Sequence, residues 1–184
     1  VTAAYGSGFG DNSIRGILQT AVTAANVSVF DRSQRDPDLR GMGTTIVACI
    51  VCDGIAHIVH AGDSRAYHVT ADGIEQMTKD HSVVQLLVDR GEITQDEARF
   101  HPKKHFITRA LGVMSIIDLD YCEFALNEGE AIIICTDGLS NYFPKDELFD
   151  MIKSVGYGKC VDKLINAAKK AGGADNITVV CISR

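Results

Sequence analysis

Apolar and polar positions alternate along the chain in a pattern that predicts several short strands and a few amphipathic helices. An unbroken apolar run at 131–135 predicts a strand that is covered on both faces, and it ends next to Asp137 and Gly138. An ionised carboxylate beside a core is costly unless a cation or donor compensates it. We therefore expect Asp137 to face a positive charge.

Further apolar runs bounded by turn residues predict strands over 44–52, 55–61, 66–69, 74–77, 116–126 and 177–182. Asp53-Gly54 joins the first two as a tight hairpin, and we interpret the stretch from 44 to 77 as a β-meander. Apolar residues at helical spacing predict helices over 12–33, 146–155 and 159–171, with Asn12 or Ser13 as the first N-cap. Because turns rather than helices join most strands, the pattern favours an α+β fold with antiparallel sheets and outer helices.

Residues 83–106 form a predicted helical insertion, in which one helix stops at Gly91 and the capping box Thr94-x-x-Glu97 begins another. Gly6-Ser7-Gly8-Phe9-Gly10 is predicted to be a loop rather than a phosphate-binding motif, because no strand precedes it and no Lys-Ser/Thr follows it.

Composition narrows the functional classes. The chain has 184 residues and a formal net charge of -6, which argues against nucleic acid or an anionic membrane as partner. Its apolar runs are too short to span a bilayer and no signal peptide opens it, so we expect one cytoplasmic domain. The six cysteines lie mostly in apolar runs, which fits a reduced compartment, and Cys49 and Cys52 should point to opposite faces of a strand.

Three aspartates lie at strand ends: Asp63 at a strand junction, Asp137 after one strand and Asp175 before another. If these strands are neighbours, the carboxylates converge, and a cation must offset their repulsion. Oxygen ligands suit Mg²⁺ or Mn²⁺. Each aspartate taken alone is more often a turn or cap residue than a ligand, and it is their recurrence at strand ends that favours a metal site.

The histidines at 81, 101 and 105 show no ligand spacing, and we expect them to be surface or capping residues.

Six motifs occur in a fixed order along the chain: Gly41-Met42-Gly43-Thr44-Thr45, His60-Ala61-Gly62-Asp63-Ser64-Arg65-Ala66-Tyr67, Asp80-His81-Ser82, Ile107-Thr108-Arg109-Ala110-Leu111-Gly112, Thr136-Asp137-Gly138-Leu139 and Gly173-Ala174-Asp175-Asn176-Ile177-Thr178. As a set they resemble the motif series of the metal-dependent PP2C-type (PPM) Ser/Thr protein phosphatases in their compact bacterial form. The resemblance runs from the first helix to the C-terminus. It implies two central antiparallel β-sheets flanked by helices, an α-β-β-α sandwich in a single domain over residues 1–184.

By position in those motifs, Asp137 and Asp175 resemble ligands of the first catalytic metal, and Asp63 resembles the residue that joins Asp137 at a third metal. Residues 83–106 correspond to the flap beside the active site. The implied reaction is hydrolysis of phosphoserine and phosphothreonine in proteins by a water bridged between Mn²⁺ or Mg²⁺ ions. The implied partners are phosphoproteins made by a Ser/Thr kinase, and we expect a monomer when the domain is complete.

Two motifs of the family do not occur in this sequence: an Arg-x-x-Asn-Glu-Asp-like motif and an Asp-Gly-x-Gly-Gly motif. They supply the family's phosphate-gripping arginine and the aspartate that bridges both catalytic metals. We therefore expect that N-terminal strands of the domain are missing and that these residues alone have very low activity. The alternatives are a PP2C-fold pseudophosphatase or interaction module without hydrolysis, and aspartates that are only structural turns.

Overall fold

The computed structural model describes residues 11–184, with side chains from Ile14 onward, so the predicted 6–10 loop and the first N-cap lie outside the described residues. The helices are α1 (Asp11–Arg35), α2 (Val83–Asp89), α3 (Gln95–Phe100), α4 (Asp137–Ser140), α5 (Lys145–Val155) and α6 (Tyr157–Lys170). The strands are β1 (Ile46–Cys52), β2 (Ile55–Ala61), β3 (Arg65–Val69), β4 (Ile74–Gln76), β5 (Asp120–Ala125), β6 (Ala131–Cys135) and β7 (Val179–Ser183).

Two antiparallel sheets stack face to face, one with strand order β1-β2-β5 and the other with order β4-β3-β6-β7. Three apolar clusters separate four layers: one between α1 and the first sheet, one between the sheets, and one between the second sheet and α5 and α6. The predicted α-β-β-α sandwich is confirmed.

Strand β6 is the most deeply buried part of the second sheet. Ile132 packs in the cluster between the sheets, whereas Ile133 and Cys135 pack against the helices, so both faces are covered. This arrangement explains the unbroken apolar run, because neither side of the strand meets water.

Helix α1 packs on the first sheet through Ile14, Leu18 and Val22, whose spacing places them on one face. The predicted Asp53-Gly54 hairpin is also present: both residues have positive φ, 50° and 79°, and Cys52 pairs with Ile55 across the turn. Local turn chemistry thus fixed the register of the two longest strands.

The meander predicted over 44–77 is wrong, because β2 and β3 do not pair. The chain leaves the first sheet at Gly62, whose φ is 115°, and β3 joins the second sheet beside β6. A Cβ at Gly62 would lie 2.4 Å from Thr45 Cγ2, so the chain can turn this sharply only with glycine.

No helix within the described part of the chain is both long and apolar enough to cross a membrane. Cys49 and Cys52 contribute to clusters on opposite faces of the first sheet, as predicted.

Candidate active site

The three predicted aspartates lie at adjoining ends of β3, β6 and β7. Arg65 pairs with Cys135, and Cys135 pairs with Val179, so the three strands reach the same edge of the second sheet. Continued by two residues, the β3–β6 register would set Asp63 opposite Asp137. The convergence expected from the sequence follows from this pairing.

Asp137 is held against the loop that carries Asp175. The Thr136 hydroxyl donates to Asn176 O at 3.2 Å and accepts from Thr178 N at 3.1 Å. A Cβ on Gly138 would lie 2.2 Å from Asn176 O, so only glycine lets the start of α4 approach this loop so closely. The sequence prediction included this glycine but missed α4, which has only four residues.

The turn that carries Asp63 is fixed from two sides. Ser64 Oγ and Thr45 Oγ1 are 2.8 Å apart, and the Gly62 backbone is hydrogen bonded to the side chain and backbone of His81. The backbone that carries Asp63 is therefore anchored by the segment before β1 and by the segment after β4.

Negative charge accumulates at this edge. Burial, followed by the charges of Asp137 and Asp80, raises the pKa of Asp63 to about 6. The pKa of Asp137 is also raised, first by burial and then by Asp175. Within residues 11–184, none of these three carboxylates forms an ion pair with Lys, Arg or His. The site is short of positive charge.

This donor set fits a hard divalent cation. Carboxylates that raise one another's pKa gain from a shared cation, and oxygen-only ligands suit Mg²⁺ or Mn²⁺. The electrostatic pairs are Asp63 with Asp137 and Asp137 with Asp175. The motif resemblance implies two metal positions that share Asp137, and this assignment stays a prediction.

A cleft of about 270 Å³ opens beside Asp63 and Asp137. Its wall includes residues of the 83–106 segment and the start of α5: Val84, Gln85, Gln95, Asp96, Ala98, Arg99, Lys104, Lys145 and Asp146. The predicted capping box at Thr94 is present and fixes the start of α3. The buried Ser140 hydroxyl also borders the cleft and has no hydrogen-bond partner among the described residues.

Arg65 and Arg109, both in the motifs that carry the resemblance, hold carboxylates. Arg65 Nε and Nη2 bind Asp80 at 2.9 and 2.7 Å, in a pair whose side chains are 21% and 11% exposed. Arg109 binds Asp120 at 2.7 Å and Asp118 at 3.3 Å. Both guanidinium groups are therefore committed to protein carboxylates.

The expectation that His81 is a surface or capping residue is wrong. Its side chain is 7% exposed overall and accepts a hydrogen bond from Gly62 N, 19 residues away. His101 fits the expectation, since it caps α3 and accepts from Lys103 N, and His105 is exposed. The sequence signal for His81 is its place in the Asp80-His81-Ser82 motif.

One group of three potential ligand side chains within the described residues has ligand atoms within 4.8 Å of one another: His60, His81 and Asp120. It includes none of the predicted aspartates.

Comparisons with known proteins identify relatives of this chain. The family model described as Protein phosphatase 2C matches residues 6–176. The serine/threonine phosphatase stp of Listeria innocua is 36% identical over 168 residues, which cover 91% of this chain and 67% of that protein. The chain thus spans about two thirds of that relative's length.

Solved structures show the same architecture. Serine/threonine phosphatase Stp1 from Staphylococcus aureus superposes with a TM-score of 0.92 at 28% identity, covering 98% of this chain and 71% of that one. The catalytic domain of the phosphatase PstP, solved in complex with two manganese ions, superposes with a TM-score of 0.84 at 32% identity, covering 95% and 72% of the chains.

Proposed function

The chain belongs to the protein phosphatase 2C family, and from that membership we propose that it is a metal-dependent phosphatase that hydrolyses phosphoserine and phosphothreonine in proteins. Asp137 and Asp175 would hold one Mn²⁺ or Mg²⁺ ion, and Asp63 would join Asp137 in holding another.

The observation that carries this proposal is the convergence of three carboxylates without a cationic partner among the described residues. Asp63 and Asp137 each have a raised pKa, and each lies within electrostatic reach of another of the three. A divalent ion would remove that repulsion. The solved PstP relative with two manganese ions supports the choice of metal.

Ions held here would lower the pKa of water and neutralise the phosphoryl oxygens of a substrate. The protein's own contribution is positional. The β3–β6–β7 pairing sets the carboxylates at one edge, Gly138 allows close approach of Asp137 to the Asp175 loop, and Asn141 Nδ2 donates to Asp137 Oδ2 at 3.1 Å.

We propose further that residues 83–106 act as a flap beside this site. Support comes from the cleft, which this segment lines together with Asp63 and Asp137. Arg99 and Lys104 lie in that wall and add positive charge next to an otherwise acidic edge. Their positive charges are suited to contact the negatively charged, phosphorylated region of a protein substrate.

The proposed substrates are products of a Ser/Thr kinase, and the proposed location is the cytoplasm, with the chain as a monomer. All six cysteines pack in the apolar clusters, which supports a reduced compartment. The net charge of -6 supports a protein rather than a nucleic-acid partner.

Phosphate release from a phosphothreonine peptide tests the proposal. In a protein that also contains the two motifs absent from this sequence, we expect turnover that requires Mn²⁺ and is abolished in Asp137→Asn, whereas Asp146→Asn, which changes a cleft carboxylate outside the predicted ligands, retains it. Because only the folded state should bind the ion, Mn²⁺ should raise the Tm of the wild-type protein more than that of Asp137→Asn. Mn²⁺ binding without any turnover would favour the pseudophosphatase alternative. No effect of Mn²⁺ on Tm would leave the aspartates as structural turns.

A further inference from the structure

His81 forms two hydrogen bonds with one residue, Gly62, which directly precedes the predicted ligand Asp63. Its backbone N donates to Gly62 O at 2.9 Å, and its ring Nδ1 accepts from Gly62 N at 3.1 Å. The turn that presents Asp63 is therefore held by the ring and the backbone of a single buried histidine.

The hydrogen bond from Gly62 N to the ring determines which ring nitrogen carries the proton. Since Nδ1 accepts, the neutral ring carries its proton on Nε2, which lies 3.3 Å from Asp120 Oδ2 and can donate to it. Burial lowers the pKa of His81, which favours the neutral ring. Arg109 Nη1 in turn donates to Asp120 Oδ1 at 2.7 Å and holds the carboxylate in place.

The same geometry argues against a metal among His60, His81 and Asp120. A metal on His81 Nε2 would compete with the proton that this nitrogen carries while Nδ1 accepts from Gly62. Arg109 Nη1 also lies 3.2 Å from Nε2, and because both are donors in this tautomer it donates to Asp120 Oδ1 instead, so a metal ion there would meet a guanidinium. His60 donates from Nε2 to Lys79 O at 2.9 Å and stacks on His81 with ring centroids 4.7 Å apart. The cluster is held by hydrogen bonds.

We propose that His81 is a positioning residue for the metal site: held in one tautomer by Asp120, it orients the Gly62–Asp63 turn so that the Asp63 carboxylate faces Asp137. This inference rests on the proposed function, because it assumes that Asp63 is a metal ligand. Under this proposal, the Asp80-His81-Ser82 motif acts by holding a turn. It takes no direct part in hydrolysis and does not contact phosphate.

Two substitutions of His81 distinguish the loss of the hydrogen bond from Gly62 N from the loss of the packing of the ring. Asparagine places an acceptor oxygen near the position of Nδ1, whereas glutamine extends its amide toward Asp120 and leaves Gly62 N without an acceptor. Both remove the ring that stacks on His60, so the loss of packing is shared. The readouts are Mn²⁺ affinity, from the electron paramagnetic resonance signal of free Mn²⁺, and the Tm without metal.

We expect His81→Gln to weaken Mn²⁺ binding by about tenfold, the lower end of the effect seen for outer-sphere partners of metal ligands. We expect His81→Asn to bind Mn²⁺ nearly as well as the wild-type protein, although both variants have a lower Tm without metal. Equal affinities for the two variants, whether normal or weakened, would overturn the inference.

A second pair of variants keeps the test valid if His81→Gln does not fold. Asp120→Asn removes the charge that selects the tautomer, whereas Asp118→Asn removes a charge that also pairs with Arg109 but is 79% exposed and has no bond to His81. Only Asp120→Asn should weaken Mn²⁺ binding, and equal effects of the two would contradict the inference.

Asp63→Asn serves as the reference for both pairs. If it weakens Mn²⁺ binding while His81→Gln and Asp120→Asn do not, the positioning role is wrong and the ligand assignment stands. If it leaves Mn²⁺ binding unchanged, the ligand assignment of Asp63 and the positioning role both fail.

Discussion

Gly138 is the position at which the smallest change in sequence should disturb both the fold and the metal site. A Cβ there would lie 2.2 Å from Asn176 O and 3.0 Å from Asn176 C, well inside the 3.4 Å at which ordinary contact begins. Both neighbouring atoms belong to the backbone, so no side chain can rotate away. In Gly138→Ala, α4 and the Asp175–Asn176 loop must therefore move apart by about an ångström.

The expected cost can be estimated from this overlap. Overpacking of a single extra carbon costs about 1–3 kcal/mol, and alanine regains a little through its higher helix propensity. For a domain of this size, each 1 kcal/mol lowers Tm by about 2–4 °C. We expect Gly138→Ala to lower the Tm of the metal-free protein by several degrees. Because the movement separates Asp137 from Asp175, Mn²⁺ affinity should fall as well.

Gly158→Ala is the matched control, since Gly158 also lies in a helix and a Cβ there would meet nothing within 4 Å. We expect this variant to gain up to about 1 kcal/mol, as alanine usually does over glycine in a helix. Urea unfolding gives both free energies, and calorimetric titration with Mn²⁺ gives the affinity. The reasoning is refuted if Gly138→Ala is as stable as Gly158→Ala and binds Mn²⁺ equally well.

Two further predictions follow from the charges around the site. Burial raises the pKa of Asp63 from its ordinary value of 3.8 to about 6 in the folded protein, so between these values the folded chain binds more protons than the unfolded one. The metal-free protein should therefore lose stability as pH rises from about 4 to 6, and a Tm profile that declines just as steeply in Asp63→Asn would contradict this origin. Removal of one partner of the Arg65–Asp80 pair leaves a mostly buried charge, so Arg65→Ala should cost about 3–5 kcal/mol in urea unfolding, whereas Arg90→Ala, which breaks an exposed pair with Glu92, should cost less than about 1 kcal/mol. Equal costs would show that the burial of the Arg65 pair does not matter.

The elements that the sequence predicted well are those set by neighbouring residues. The Asp53-Gly54 turn determines its own hairpin, and the apolar run of β6 is explained by clusters on both of its faces. The positions of Asp63, Asp137 and Asp175 at strand ends were predictable for the same reason: a turn residue after an apolar run is a local signal. Their role as ligands stays a prediction.

Partner choice between strands was not predictable in the same way. An apolar strand can pair with any neighbour of matching pattern, and nothing near Gly62 in the sequence distinguishes a meander from a change of sheet. The distinction depends on Thr45, which packs where a Cβ of residue 62 would lie. His81 was misjudged for a related reason, since its partners Gly62 and Asp120 are 19 and 39 residues away along the chain.

The ion pairs near the site support the proposal that a metal, rather than a side chain, neutralises the predicted ligands. Arg65 binds Asp80 and the Tyr67 hydroxyl, and Arg109 binds Asp118 and Asp120, so both arginines form their ion pairs with carboxylates outside the cluster, although the charge of Arg65 partly lowers the pKa of Asp63. If the three carboxylates served only as turn residues, the same arginines could pair with them. The pKa of Asp63 would then not be raised. Instead, the two guanidinium groups bind the carboxylates of Asp80, Asp118 and Asp120. We therefore expect the neutralising cation to come from solution, so that stability and activity depend on the same ion.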